Sequence, residues 1–212
     1  TLFRVVDSYL DGRGWLGVRL GGALPVADAQ GAVYDLSEAM RIGRVLDEHG
    51  FAWFEEPIPG DQIDGYARLC AAVEMPITGG ESLTTLEAFR PYLEAGAYDI
   101  VQQDAGLCGI TEALRIAAVA ARYGVDVCPH SWHNGLMAMA HAHYVAALPN
   151  PRVVEVCEIQ GPLQWGILAE KPAIEKGWLS LPDKPGLGVA LAENLEERYP
   201  YIEGHYSLRV DR

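Results

Sequence analysis

Short apolar or β-branched runs alternate along the chain with longer stretches in which apolar residues recur at helical spacing. Eight of the short runs end in or beside a polar residue, as expected for strands that bring polar side chains to one edge of a sheet. These runs cover residues 3–8, 16–20, 24–28, 52–55, 76–81, 99–104, 125–130 and 152–158. Strands that alternate with helices predict parallel strands joined by right-handed crossovers. Eight such units favour a (β/α)8 TIM barrel over a doubly wound open sheet.

Helix starts are visible between the later strands. Asp35 followed by Glu38 predicts a capping box, and Gly50 ends the helix that follows it. Thr84 and Glu87 predict a second cap of the same kind. These signals support a strand–helix alternation from residue 35 onwards.

The first strand–helix units are compressed. Arg19 and Asp28 are only nine residues apart, and Ser8 and Leu16 only eight. A crossover helix needs about a dozen residues. We therefore expect a barrel over residues 1–190 that lacks its first two helices, and a tail over residues 191–212 that packs on the barrel or stays loose.

Six strands carry one ionisable residue each at or near their ends. The successive separations are 27, 26, 23, 26 and 25 residues, which is close to the roughly 25–30 residues of one barrel unit. Barrel enzymes keep their chemistry at the C-terminal ends of the strands. We therefore expect one mouth to gather Asp28, Glu55, Glu81, Asp104, His130 and Glu155.

Composition and charge limit the classes of partner. The chain has 212 residues and a formal net charge of −13, which argues against nucleic acid or an anionic membrane as a partner. The sequence contains neither a leader-like segment nor an apolar run of about 18 residues. Its four cysteines are widely spaced and fit no zinc pattern. They predict reduced core residues in a cytoplasmic protein.

Three carboxylates from consecutive units predict a metal site. Asp28, Glu55 and Glu81 would repel one another if they were packed together without a cation. Mg²⁺ prefers oxygen ligands and keeps positions open for substrate, so we expect it here. The alternative is that some of these residues are solvated loop acids.

His130 is the candidate acid/base. Asp104 ends the preceding strand, where its carboxylate can hold one imidazole nitrogen and raise the basicity of the other. A structural histidine is the alternative. A zinc site that adds His133, His141 and His143 is a further alternative. His141 and His143 are two residues apart in a predicted helix over residues 136–147 and would point to different sides, which argues against it.

Several short motifs resemble the mandelate racemase-like branch of the enolase superfamily, from about residue 28 to residue 188. They are Asp-Ala-Gln at 28–30, Trp-Phe-Glu-Glu-Pro at 53–57, Gly-Glu at 80–81, Asp104 with Gly-Ile-Thr at 109–111, Pro-His at 129–130, Val-Glu at 154–155 and Leu-Pro-Asp-Lys-Pro-Gly-Leu-Gly at 181–188.

The resemblance implies a role for each of these residues. Mg²⁺ would be bound by Asp28, Glu55 and Glu81; Asp104 would orient the catalytic His130; and Glu155 would hydrogen-bond the enolate. Homo-oligomers are common in the family.

The chain also departs from the family pattern. Gln30 stands where the family more often has Asn, and the N-terminal α+β capping domain that closes the mouth in the family is expected to be absent. The usual Lys-x-Lys of the second strand is replaced by Arg19 and Gly21. Arg cannot deprotonate at useful pH, so Arg19 is expected to pair with the substrate carboxylate and His130 is left as the base.

In the branch that the chain resembles, one-base chemistry mostly means dehydration of a sugar acid, so the resemblance implies this reaction, through an enediolate. Two alternatives from the same superfamily stay open, a racemase or epimerase and a lactone cycloisomerase. From other classes there remain a non-catalytic truncated remnant and a barrel glycosidase that pairs Glu55 or Glu56 with Glu81.

Overall fold

The computed structural model describes residues 34–149, 152–157 and 161–203, together with the backbone of three strands that precede residue 34. Strands occur at all eight predicted places, and a hairpin follows them. Their bounds are β1 (Leu2–Leu10), β2 (Leu16–Leu20), β3 (Ala27–Asp28), β4 (Phe54–Glu55), β5 (Ile77–Gly79), β6 (Ile100–Val101), β7 (Asp126–Val127), β8 (Val154–Val156), β9 (Ile174–Glu175) and β10 (Trp178–Ser180).

The sheet runs in the order β7-β6-β5-β4-β3-β2-β1-β10-β9, and β8 pairs with β1. From β3 to β7 each strand is parallel to the next one, and β8 is parallel to β1. The fold is therefore α/β with a largely parallel sheet. No hydrogen-bonded ladder joins β7 to β8 within the described part of the chain.

The expectation of eight parallel strands was wrong for β2, which runs antiparallel to both β1 and β3. The reason is the short spacing noted above. A connection that cannot hold a helix can still turn the chain back, and it then produces a hairpin instead of a parallel crossover. The β9–β10 hairpin, whose second strand adds antiparallel to β1, was not predicted.

The helices alternate with the strands from β3 onwards. Their bounds are α1 (Leu36–Glu48), α2 (Ile63–Cys70), α3 (Leu86–Ala95), α4 (Ala105–Cys108), α5 (Ile110–Ala120), α6 (Gly135–Ala146), α7 (Leu163–Gly166) and α8 (Leu195–Arg198). None of the helices in the described ranges is long and apolar enough to cross a membrane.

Two helix caps test the sequence signals directly. The Asp35 side chain accepts the amide N–H of Glu38, so the predicted cap of α1 is confirmed. The predicted Thr84 cap of α3 was wrong by one residue, because Thr85 is the extended residue whose side chain accepts from Ala88. Both caps satisfy backbone donors that a helix start leaves unpaired.

Two packed clusters of apolar residues underlie the sheet. The larger one lies between the sheet and its helices, and includes Phe54, Ile77 and Ile116, all fully buried. The smaller one joins residues from four strands or their flanks, and not all of these strands are neighbours in the sheet. Its members are Trp53 beside β4, Ile100 of β6, Cys128 beyond β7 and Val153 beside β8, with Ala52 and Trp132 packed against them.

The predicted tail begins against the segment after α7. The Ala192 N–H donates to the Ile167 carbonyl, and Leu168 forms a bridge with Leu191. Residues 204–212 of that tail lie outside the described residues.

Candidate active site

The candidate residues stand at or beside the ends of successive strands. Glu55 is the last residue of β4, Glu81 follows β5 by two residues, and Asp104 and His130 follow β6 and β7 by three each. Glu155 is the central residue of β8. Because the strands from β4 to β7 are parallel, their C-terminal ends lie along one edge, and the side chains that follow them can meet there.

His130 and Asp104 are in direct contact. The Nδ1 atom of His130 lies 2.8 Å from Oδ2 of Asp104, and its Nε2 atom lies 3.5 Å from Oε2 of Glu81. The Asp104 side chain is fully buried, whereas 18% of the His130 side chain is exposed. The imidazole is thus anchored through one nitrogen, while its other nitrogen faces a second acid.

Asp104 contacts two further imidazoles. His133 Nε2 lies 2.7 Å from Oδ2, the same oxygen that faces His130. On the other oxygen, the Gly106 N–H donates to Oδ1 at 2.7 Å, and His141 Nε2 lies 3.2 Å away.

His141 has two contacts at Nε2 that exclude one another as hydrogen bonds. The Ala105 N–H points at this atom from 3.0 Å, which requires a lone pair, whereas donation to Asp104 requires a proton. The Nδ1 atom lies 3.0 Å from the Met137 carbonyl and is suited to donate to it. A neutral imidazole carries a single proton, and donation to the Met137 carbonyl places that proton on Nδ1. Nε2 is then unprotonated, so we assign its hydrogen bond to the Ala105 N–H, which donates to it.

The contacts within this cluster shift the pKa of Asp104 and the pKa of His130. Burial of Asp104 would raise the pKa of its carboxyl, but the surrounding imidazoles, His130 and His133 first, hold it well below its ordinary value. Burial of the His130 ring would lower its pKa, but the hydrogen bond to Asp104 and the charges of Glu155 and Glu81 raise the pKa of His130 to about 9. Asp104 is therefore an ionised partner.

Glu155 is held by two donors at once. The Ser131 N–H donates to Oε2 at 2.6 Å, and the indole N–H of Trp132 donates to Oε1 at 2.9 Å. Both donors come from the loop that carries His130. Glu155 and His130 are therefore tied to the same short segment of chain.

Two carboxylates with defined contacts are available to a cation. The indole N–H of Trp53 donates to Oε2 of Glu55 at 3.0 Å, and Glu81 faces His130 as described. Next to Glu81, the Gly80 N–H donates to Oε1 of Glu56, which fixes the start of this loop. Asp28 pairs with Glu55 in the backbone register of β3 and β4.

This donor set, all carboxylate oxygens, fits a hard divalent cation. Among the side chains that the structure describes, which exclude that of Asp28, no three or more His, Cys, Asp or Glu residues are arranged so that they could hold a metal ion.

Three residues that were discussed from the sequence have side chains that the structure does not describe. The backbone of Arg19 pairs with Asp7 in β2 and β1, and that of Asp28 ends β3. The side chains of Arg19 and Asp28, and all of Gln30, lie outside the described residues. Their roles stay predictions.

The sequence profile described as "Enolase C-terminal domain-like" matches residues 21–195. The chain belongs to this family. Its resemblance to the mandelate racemase-like branch of the enolase superfamily is thereby confirmed.

Relatives of this enolase-like chain include enzymes of sugar-acid metabolism. A D-galactarolactone cycloisomerase of Agrobacterium fabrum is 34% identical over 167 residues, covering 74% of this chain and 44% of that protein. An arabinonate dehydratase of Saccharolobus solfataricus is 34% identical over 181 residues, covering 85% of this chain and 48% of that protein. The chain spans about half the length of these curated relatives.

A solved structure has the same fold. The crystal structure of L-talarate dehydratase from Polaromonas sp. JS666, complexed with Mg and L-glucarate, gives a TM-score of 0.72 at 27% identity. The match covers 84% of this chain and 47% of that chain.

Several polar contacts of this enolase-like site were missed from the sequence. No polar role was predicted for Trp132 or Trp53, yet each donates an indole N–H to a candidate acid. His133 and His141 were considered only as zinc ligands. The one sequence feature that relates to the His133 contact is its three-residue spacing from His130, and this spacing alone does not indicate which residue His133 contacts. His143 contacts the Leu187 carbonyl.

Proposed function

We propose that this chain forms the catalytic barrel of a Mg²⁺-dependent dehydratase that removes water from a sugar acid. The observation that carries the proposal is the placement of His130 between Asp104 and Glu81, at 2.8 and 3.5 Å. One imidazole nitrogen is held by a buried carboxylate, which leaves the other to exchange a proton with substrate.

A closed barrel is part of the proposal. The smaller apolar cluster supports it, because Trp53, Ile100 and Val153 come from β4, β6 and β8 or their flanks and pack as one group. Layers of side chains from alternate strands are the usual filling of a (β/α)8 barrel. An open sheet would keep β8 far from β4.

Asp28, Glu55 and Glu81 would hold the cation. When bound there, Mg²⁺ would offset the negative charge that develops on the substrate carboxylate as the neighbouring carbon loses its proton. Trp53 orients Glu55 for this role through its indole N–H. Arg19 is assigned to pair with the substrate carboxylate.

His130 carries the proton steps. Its Nε2 takes the proton from the carbon next to the carboxylate, and the electrons of the broken C–H bond form the enediolate. The same nitrogen then returns the proton to the 3-hydroxyl, which leaves as water while the electrons of the enediolate form the new C=C bond. The resulting enol becomes a 2-keto-3-deoxy acid. Asp104 keeps the proton on Nδ1 throughout.

Glu155 is assigned to the enolate oxygen, to which its carboxyl group donates a hydrogen bond when it is protonated. Both of its oxygens also accept hydrogen bonds, from Ser131 and Trp132. The two donors fix the orientation of Glu155 against the loop that carries His130.

Lactone cycloisomerisation is the second candidate. It is favoured by the 34% identity to the Agrobacterium fabrum cycloisomerase, and it uses the same proton abstraction next to a carboxylate. The two reactions differ in their leaving group, since dehydration releases water from an open-chain acid whereas cycloisomerisation opens a ring.

Screening aldonic and aldaric acids with and without Mg²⁺ tests the proposal. The expected result is a 2-keto-3-deoxy product that needs Mg²⁺ and disappears in His130→Asn while the variant still binds the cation. Dehydration that persists in His130→Asn would overturn the assignment. Turnover of lactones alone would favour the second candidate.

A further inference from the structure

One oxygen of Asp104 serves two imidazoles. Oδ2 lies 2.8 Å from Nδ1 of His130 and 2.7 Å from Nε2 of His133. An ionised carboxylate oxygen can only accept hydrogen bonds, so both ring nitrogens must be donors. His130 therefore carries its proton on Nδ1 and His133 carries a proton on Nε2.

The approach of His133 depends on a glycine. A Cβ atom at position 106 would lie 2.6 Å from Nε2 of His133 and 2.9 Å from Oδ1 of Asp104. Gly106 lies in α4, in a backbone conformation that other residues adopt without strain. The absence of a side chain therefore serves the contact between His133 and Asp104.

The next residue in the loop is fixed as well. The Asn134 side chain accepts the amide N–H groups of Leu136 and Met137, which caps α6. His133 thus precedes a capped helix start, and 27% of its side chain is exposed. Its position against Asp104 is set by backbone structure on both sides, by α4 and by the start of α6.

An oxygen that accepts from two donors forms a weaker hydrogen bond with each of them. Each N–H reduces the negative potential that the other experiences, so a shared bond is weaker than a bond with a single donor. A one-base elimination requires His130 to take a proton and also to release it, which is fastest at intermediate basicity. A bond from Asp104 to His130 alone would favour the protonated imidazole too strongly.

We propose that His133 is a positioning residue that, by sharing Oδ2 of Asp104, keeps the Asp104–His130 hydrogen bond weak enough for His130 both to take and to return a proton. The functional half of this inference rests on the proposed dehydratase activity. The structural half, that His133 weakens the bond to His130, can be measured without turnover.

The test uses two substitutions of His133 that distinguish the effect of its N–H donor from the effect of its planar ring. His133→Phe keeps a planar ring but removes the N–H. His133→Gln places an amide N–H near the position of Nε2 and cannot titrate. His143→Phe is the matched control, because His143 also lies partly buried and contacts the Leu187 carbonyl instead of Asp104.

The readout is the Nδ1 proton resonance of His130 in the full chain with EDTA present, observed by NMR after ¹⁵N-histidine labelling. The chain has only six histidines, so single substitutions assign them. We expect the resonance to move downfield in His133→Phe, to stay near the wild-type position in His133→Gln, and to be unchanged in His143→Phe. If the Phe variant does not fold, His133→Leu removes the same N–H with a smaller side chain and should also move the resonance downfield.

An unchanged or upfield resonance in His133→Phe, or a Gln variant that behaves like the Phe variant, would overturn the inference. With a sugar acid that is turned over, kcat of His133→Phe should fall on the order of tenfold with little change in KM, as for the loss of one charged hydrogen bond, and His133→Gln should restore it. An unchanged or higher kcat would also overturn the inference. If the resonance moves as expected but no sugar acid is dehydrated, the dehydratase proposal fails while the sharing of Oδ2 stands.

Discussion

The indole nitrogen of Trp53 donates a hydrogen bond to Oε2 of Glu55, 3.0 Å away and two residues further along the chain. Trp53 is itself buried in the small apolar cluster, so its N–H is held in a fixed direction. The carboxylate of Glu55 is therefore oriented by a rigid neighbour before any cation arrives, which is the usual task of a residue that supports a metal ligand.

Replacing Trp53 by Phe should weaken Mg²⁺ binding without removing the packed ring. Loss of such a supporting hydrogen bond typically lowers metal affinity by about 10–100-fold, and calorimetric titration with Mg²⁺ measures it. Trp178→Phe is the control, since Trp178 is 41% exposed on β10. Equal affinity in Trp53→Phe and wild type would show that the Glu55 orientation has no bearing on the cation.

The raised pKa of His130 predicts a pH dependence of stability in the cation-free chain. The folded pKa of about 9 lies above the ordinary value of 6.5, so the charged imidazole stabilises the fold fully below about pH 6.5 and this contribution is lost as the pH rises through 9. The difference in unfolding free energy between wild type and His130→Asn should shrink over that window. Denaturant melts at pH 6 and pH 9.5 measure it, and a difference that grew with pH would contradict the assignment.

Cation binding should lower the pKa of His130. Glu81 faces Nε2 from 3.5 Å, and its charge is among the causes that raise the pKa. A divalent cation held by Glu81 would offset that charge and favour the neutral imidazole that proton abstraction needs. An NMR titration of His130 with and without Mg²⁺ measures the change. A pKa that stays near 9 in saturating Mg²⁺ would argue that Glu81 is not a ligand.

Replacing Glu155 by Gln should destabilise the fold. Both carboxylate oxygens accept, from the Ser131 N–H and the Trp132 indole N–H, and an amide must turn its own NH₂ towards one of these donors. An unmade hydrogen bond of this kind costs about 1–3 kcal/mol. Denaturant unfolding measures the loss, with Glu175→Gln on the exposed edge of β9 as the control. Equal stability of the two variants would mean that the Glu155 contacts are not maintained in solution.

The regular part of the fold could be predicted because strand–helix units leave a fixed period in the sequence. Glu55, Glu81, Asp104, His130 and Glu155 follow that period, and the structure has each of them in or just beyond its strand. The contact between Asp104 and His130 also follows, since neighbouring parallel strands place their ends side by side. Their catalytic roles remain predictions.

The irregular loop after β7 could not be predicted in the same way. No periodicity restricts the direction of residues between β7 and α6, so the sequence did not specify the contacts of Trp132 with Glu155 and of His133 with Asp104. The buried contact of His141 with Asp104 depends on how α6 docks on the sheet, which is a tertiary property. The short connections on both sides of β2 exclude a crossover helix, which predicts a compressed barrel but does not by itself specify the direction of the strand.

Binding of Mg²⁺ to the purified chain, measured by isothermal titration calorimetry beside Glu55→Gln, tests the proposed site most directly. We expect saturable binding in the wild type that is lost in Glu55→Gln while the circular dichroism of the two proteins stays the same. A folded wild-type chain that binds no Mg²⁺, or a Glu55→Gln variant that binds it equally well, would contradict the three-carboxylate site and the dehydratase built on it.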